Sequence, residues 1–170
     1  MPRSLADGRH KVVVMSTKPA NLAAPTVTEL TAGVDISCSI MSTGYTLGPT
    51  ASDTVDEKAL CEEGNTKVMT TANFEGSLTL FRYFDGTTKQ ADAAADTAFA
   101  ALNTRGATVW IADRFTAKKS AEAFTALDEV GVYEVVPDFA QNAEATGYIK
   151  KIVPLQVNGN SVPNAVVAGP

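Results

Sequence analysis

His10 is the only imidazole in the chain. An enzyme needs a positioned acid, base, nucleophile or metal. One histidine does not build a His-based metal site, nor does it readily supply a triad whose partners lie elsewhere. His10 stands at the start of a strand-like run and reads as an exposed polar residue. The densest chemistry-bearing group is acidic: Asp53, Asp56, Glu57, Glu62 and Glu63, opposed within their segment by Lys58 alone. A calcium loop uses carboxylates at this density, but the Asp-x-Asp-x-Asp-Gly spacing is missing, so the group reads as a solvated acidic segment. Asp113-Arg114 reads as a structural ion pair or an interface charge, and Trp110 as core or interface packing. Lys118-Lys119 and Lys150-Lys151 are too short for phosphate patches. They read as solvated charges or partners for acids on a neighbouring subunit. Cys38 and Cys61 lack CxxC spacing and read as free thiols, Cys38 within an apolar run where cysteine tends to be buried. No catalytic, cofactor-binding or metal-ligating residue is expected.

Bulk properties narrow the classes further. A chain of 170 residues with 45% hydrophobic and 19% charged residues is one ordinary globular domain. A net charge of −5 argues against a general nucleic-acid surface. No apolar run approaches a membrane span, and the apolar stretch Val12 to Met15 is too short for a signal peptide. Cytoplasmic folding is the expectation.

The elements that would position these groups are mostly strands. Residues 10–17 form a β-branched first strand. Residues 26–30 suit a helical turn capped by Thr26 or Thr28 and stopped by Gly33. Residues 34–40 alternate Val34, Ile36, Cys38 and Ile40 with polar partners, the period of a strand with one dry face. From 41 to 71 the pattern weakens into a long loop, with short strand pieces near 54–60 and 66–70. Residues 74–80 alternate cleanly. A helix over 92–104 follows, with Asp92 as N-cap and Ala95, Phe99 and Leu102 as the stripe that packs it on the sheets. A strand follows Gly106. Residues 130–141 and 146–157 read as a long antiparallel pair, and 159–170 as an extended arm beyond a domain spanning 1–158.

This order resembles the major tail tube proteins of long-tailed (siphovirus-type) bacteriophages, particularly those infecting actinobacteria. The resemblance is carried by Leu30-Thr-Ala-Gly-Val-Asp-Ile36, the long segment after it, Phe74-Glu-Gly-Ser-Leu-Thr-Leu80 and an Asp-rich helix. Asp113-Arg114 at a strand end, an acidic turn into a valine-rich strand, and a last strand with Pro154 complete it. The turn that usually carries Gly-Asp is here Asp128-Glu129. The resemblance implies a mainly β fold, a β-sandwich or barrel with one packed α-helix. It also implies six-copy rings, each subunit giving four strands to a barrel between subunits, stacked into a tube. The tube would surround a tape-measure protein, end in tail-terminator and tail-tip proteins, and later pass the genome without binding it. Location in the virion tail follows, after assembly in the host cytoplasm, with no cofactor.

The charge pattern suggests how such subunits meet. Arg3, Arg9, Lys11 and Lys18 face only Asp7 at the N-terminus, whereas the 53–63 segment is acidic. Arg9 and Lys11 are therefore the expected partners of Asp53, Asp56, Glu57, Glu62 and Glu63 across subunits. The competing reading is a monomeric β-sandwich binding or adhesion module on a virion or cell surface.

Overall fold

The computed structural model describes residues 5–61, 63–64 and 66–169. Its strands are β1 (His10–Met15), β2 (Val34–Asp35), β3 (Ile40–Thr50), β4 (Thr54–Glu57), β5 (Thr66–Met69), β6 (Asn73–Phe81), β7 (Val109–Phe115), β8 (Glu129–Pro137), β9 (Gln141–Asn142), β10 (Lys150–Val157) and β11 (Val162–Val166). Two short helices, α1 (Val27–Thr31) and α2 (Thr97–Leu102), complete it. Nine strands form one sheet in the order β2-β1-β7-β8-β10-β6-β3, with β11 beside β8 and β9 beside β10, while β4 and β5 pair apart. The fold is mainly β.

The sheet turns on β10. Its first half, Lys150 to Pro154, pairs with β6, and its last three residues pair with β8. The corner is possible because Gly76 has no side chain: a Cβ there would lie 2.9 Å from both Leu155 and Val157. The two halves face each other across one core, where Val12, Val14, Ile111, Tyr133 and Val135 meet Leu78, Leu80, Val153 and Leu155. A second core lies on the other face of the β1–β7–β8 half, where Val13, Met15, Ala112 and Val132 pack against Leu30, Phe124, Ala165 and Val167. β1 is covered on both faces, which is why its apolar residues run without alternation.

Several sequence expectations are corrected. The 34–40 strand stops at Asp35, whose carboxylate takes the Ser37 N–H and hydroxyl. This bends the chain into a 3-10 turn over Ser37–Ser39. Ile36 still enters the core, but Cys38 faces solvent. The long 41–71 loop is instead most of a β-hairpin. The expected long pair of 130–141 with 146–157 exists at only three positions, because β10 leaves for β6. Beyond 158 there is no structural break: β11 pairs with β8, and Ala165 and Val167 are buried.

The helices show why local chemistry outranks pattern. Of the two expected caps, Thr26 is the one that α1 uses, in a complete capping box with Glu29. Glu29 also accepts the Ala20 N–H, and these bonds hold its carboxyl below the usual range. α2 is shorter than expected. Asp92 caps only a preceding turn, through the Ala94 and Ala95 N–H groups. Asp96, at the true N-cap, makes no cap bond because its carboxylate is held by Arg82. Phe99 and Leu102 are buried in the first core together with Ala98, whereas Ala95, placed in the expected stripe, lies before the helix and is exposed.

Between β7 and β8 a loop is built around one cation. Arg114 is fully buried and donates to the carbonyls of Lys119 (2.8 Å), Glu122 (3.0 Å) and Ala123 (2.9 Å). It pairs with Asp128 at 3.5 Å and lies over the Phe124 ring. Lys118 reaches Asp128 from the other side at 2.6 Å.

Candidate assembly site

The β3–β6 pairing keeps one register from Tyr45 opposite Leu78 to Thr50 opposite Asn73, and β4–β5 continues it from Thr54 opposite Met69 to Glu57 opposite Thr66. Asp53 bridges the two with backbone bonds to Thr70 and Thr71. The result is one unbroken ribbon whose outer part projects beyond the sandwich as an arm, every described residue of β4 and β5 being exposed. Strand alternation continues the core face of the ribbon onto Val55 and Val68, which lie opposite each other, 44% and 54% exposed. This β-branched cross-strand pair has nothing over it, and Leu60 and Met69 add further exposed apolar surface to the arm.

The second feature is an edge. Among the described residues β3 has a partner on its β6 side only. An eleven-residue strand that ends a sheet offers a row of unpaired N–H and C=O groups, a template for another chain.

The acidic set lies on this arm. Asp53 is at its base, where it accepts from Asn73, and Asp56 stands opposite Lys67. Glu57 ends β4, Glu63 is in the turn, and Glu62 falls outside the described residues. The basic partners are not equivalent. Lys11 is buried and bound to Asp35 at 2.7 Å within its own subunit, so it is not offered to a neighbour. Burial alone would raise the Asp35 pKa, but the bonds from Lys11 and Ser37 outweigh it and hold the carboxyl low. Arg9 is half-buried, with Nε lacking a hydrogen-bond partner, and Arg3 lies outside the described residues. Lys118 and Lys150 likewise spend their charge internally, on Asp128 and Glu144.

His10 and Asp113 form a pair missed in the sequence. His10 is not an isolated surface residue: its Nε2 meets Asp113 Oδ1, while the Tyr45 hydroxyl donates to Asp113 Oδ2 at 2.6 Å. Burial, then the neighbouring Asp113 charge, pushes the Tyr45 hydroxyl far up, so it remains a donor. Tyr133 is raised for the same reasons. Tyr45 is on β3 and Asp113 on β7, so this bond ties the two sheet halves. Tyr45→Phe is expected to cost about 1–3 kcal/mol of subunit stability, measured by denaturant unfolding, because Asp113 loses a buried donor. An unchanged midpoint would refute the tie. Trp110 lies partly buried against the second core. Among the described residues no cluster of His, Cys, Asp and Glu is arranged to hold a metal ion.

A family model for "Phage tail tube protein" matches residues 1–170. The chain belongs to that family. It is therefore a structural protein of phage tails and a component of the virion. The solved structures include a similar chain in the anti-feeding prophage (AFP) baseplate, a cryo-EM structure described as 6-fold symmetrised. The two share 12% identity over 96% of this chain and 98% of that one, with a TM-score of 0.53, a likeness of fold. A search of the curated proteins finds no match. As a tail tube protein, the subunit assembles with other tail proteins.

Proposed function

We propose that six copies of this protein close into a ring by pairing their sheet edges, and that rings stack through the arm into the tail tube. The observation that carries this is the open β3 edge, continuous with a projecting arm. Closing a ring removes exposed edges, and a second, head-to-tail contact builds an open stack. The 6-fold description of the similar baseplate structure supports six copies. The half-sheet β9–β10–β6–β3 has four strands to contribute to a barrel between subunits. One of its faces packs on the subunit's own core, so the opposite face, with Thr46, Ser77 and Thr79, would line the lumen. Beside these hydroxyls that face carries one acid, Glu75, the apolar Phe81, Ile152 and Pro154, and Lys150, whose charge is already spent on Glu144, a surface that lets a duplex slide without holding its phosphates. The lumen holds the tape-measure protein during assembly in the host cytoplasm, terminator and tip proteins close the ends, and DNA passes on ejection. The protein performs no catalysis.

Negative-stain microscopy and mass measurement across a concentration series test this. Rings and hollow tubes are expected. A strictly monomeric species at the highest soluble concentration would overturn it in favour of a binding module. Charge also contributes. Reversing Asp56 and Glu57 to Lys is expected to slow tube growth and weaken its salt dependence, since exposed pairs worth at most about 1 kcal/mol each add up around a ring. Normal growth of that variant at low and high salt alike would remove the acidic arm from the contact.

A further inference from the structure

The ribbon has a second end. Beyond the Ile40–Leu80 pair the chain forms an exposed apolar platform from Phe84, Tyr148 and Ile149, with Tyr148 81% and Ile149 61% exposed. These residues come from separate segments, brought together where the Arg82 N–H donates to the Ile149 carbonyl at 2.9 Å. The platform is braced from beneath. The Arg82 guanidinium lies 3.7 Å from the Phe99 ring centre and 5.2 Å from that of Phe84. Asp96 fixes it from the side, at 2.7 Å to Nη2 and 2.9 Å to Nε. Phe81 meets the Tyr148 ring edge-on with centres 5.9 Å apart. Exposed apolar side chains set on a buried ion pair lose little freedom on binding, the property that distinguishes an anchoring surface from a scatter of surface residues.

We propose that this platform is the seat for the arm of a second copy in the adjacent ring, a reading that rests on the stacking proposed above and names its acceptor. The arm leaves one end of the β3–β6 ladder, beyond Thr50 and Asn73, and the platform sits at the other. A displacement along the ladder direction brings the arm of one copy over the platform of the next. Both surfaces are apolar and exposed, Val55 and Val68 on the arm and Tyr148 and Ile149 on the platform. They lie at different places on the same chain, so the contact is heterologous and repeats without closing, as a stack of rings requires.

Val55, on the seated face of the arm, supplies the probe position. In a background with Cys38→Ser and Cys61→Ser, Val55→Cys and Ile149→Cys are introduced and the assembled protein is treated with a short bis-maleimide. A ladder of covalent multimers is expected in tubes and none in single rings, with either new cysteine alone giving none. Separately, Tyr148→Ser with Ile149→Ser, both at exposed positions, is expected to leave a folded protein that forms rings but loses tubes. Tubes of parental length from that double variant, or tubes that give no crosslinked ladder, overturn the assignment. Failure of the parent protein to form either rings or tubes would overturn the underlying reading, and the inference with it.

Discussion

Replacing residues 52–71 by an Asn-Gly turn is expected to leave a subunit that melts like its parent and forms no tubes. The arm contributes nothing to either core, and the unbroken register sets Ala51 opposite Ala72. Those two positions can be joined by a two-residue type I′ turn, for which Asn-Gly is the preferred sequence. The shortened ribbon keeps every β3–β6 pair, so subunit stability is retained or slightly improved by the smaller closure entropy. Thermal unfolding and electron microscopy on the same sample separate the two effects. Tubes of parental length would show that the arm is dispensable. A collapse in melting temperature would show that it braces the subunit instead.

The largest effect on stability is expected at Arg114. Arg114→Leu takes the donor from the carbonyls of Lys119, Glu122 and Ala123 and removes the buried one of the two cations beside Asp128, which should cost about 3–5 kcal/mol, the range for breaking a buried pair from one side. Arg114→Lys should recover little, because one ammonium cannot span carbonyls on Lys119, Glu122 and Ala123 as the planar guanidinium does. Denaturant unfolding measures both, and a loss under about 1 kcal/mol for the leucine variant would contradict this account. The same loop sets an acid limit. Burial alone would raise the Asp128 pKa, but bonds from Lys118 and the Thr125 N–H, with the Arg114 charge, hold it low. Its contribution is therefore complete above the unfolded-state value of about 3.9 and disappears as pH falls through the lower folded value. Asp128→Asn should flatten that acid limb.

What the sequence disclosed was governed by whether a residue's own neighbours decide its conformation. The α1 cap was legible because Thr26 and Glu29 answer each other within one turn. The clean alternation of 74–80 marked β6 because that strand has one dry face. The 34–40 segment has the same period and fails as a strand, since Asp35 and Ser37 satisfy each other locally and pull the backbone off the ladder. The arm was illegible for the opposite reason. Both of its faces are wet in the isolated subunit, so no core imprints a period on residues 51–71, and Gly, Pro and Thr in β3 imitate a loop. The site followed the same rule. Acid density located Asp53, Asp56, Glu57 and Glu63 on the projecting element. The partners assigned to them by charge alone were misjudged for Lys11, whose ammonium is committed to Asp35 of its own subunit, 24 residues along the chain, a contact that a count of charges by segment does not reveal.

The continuity of the ribbon also has a mechanical consequence. The open β3 edge and the arm belong to one pair of strands with one register, so tension applied at the arm runs parallel to the strands. It loads the rungs between β3 and β6 in shear, all together, rather than peeling them one at a time. In the proposed tube, axial strain would then be shared by the ribbons of all the subunits of a ring, and the tube would bend by sliding between subunits before any one of them unravels.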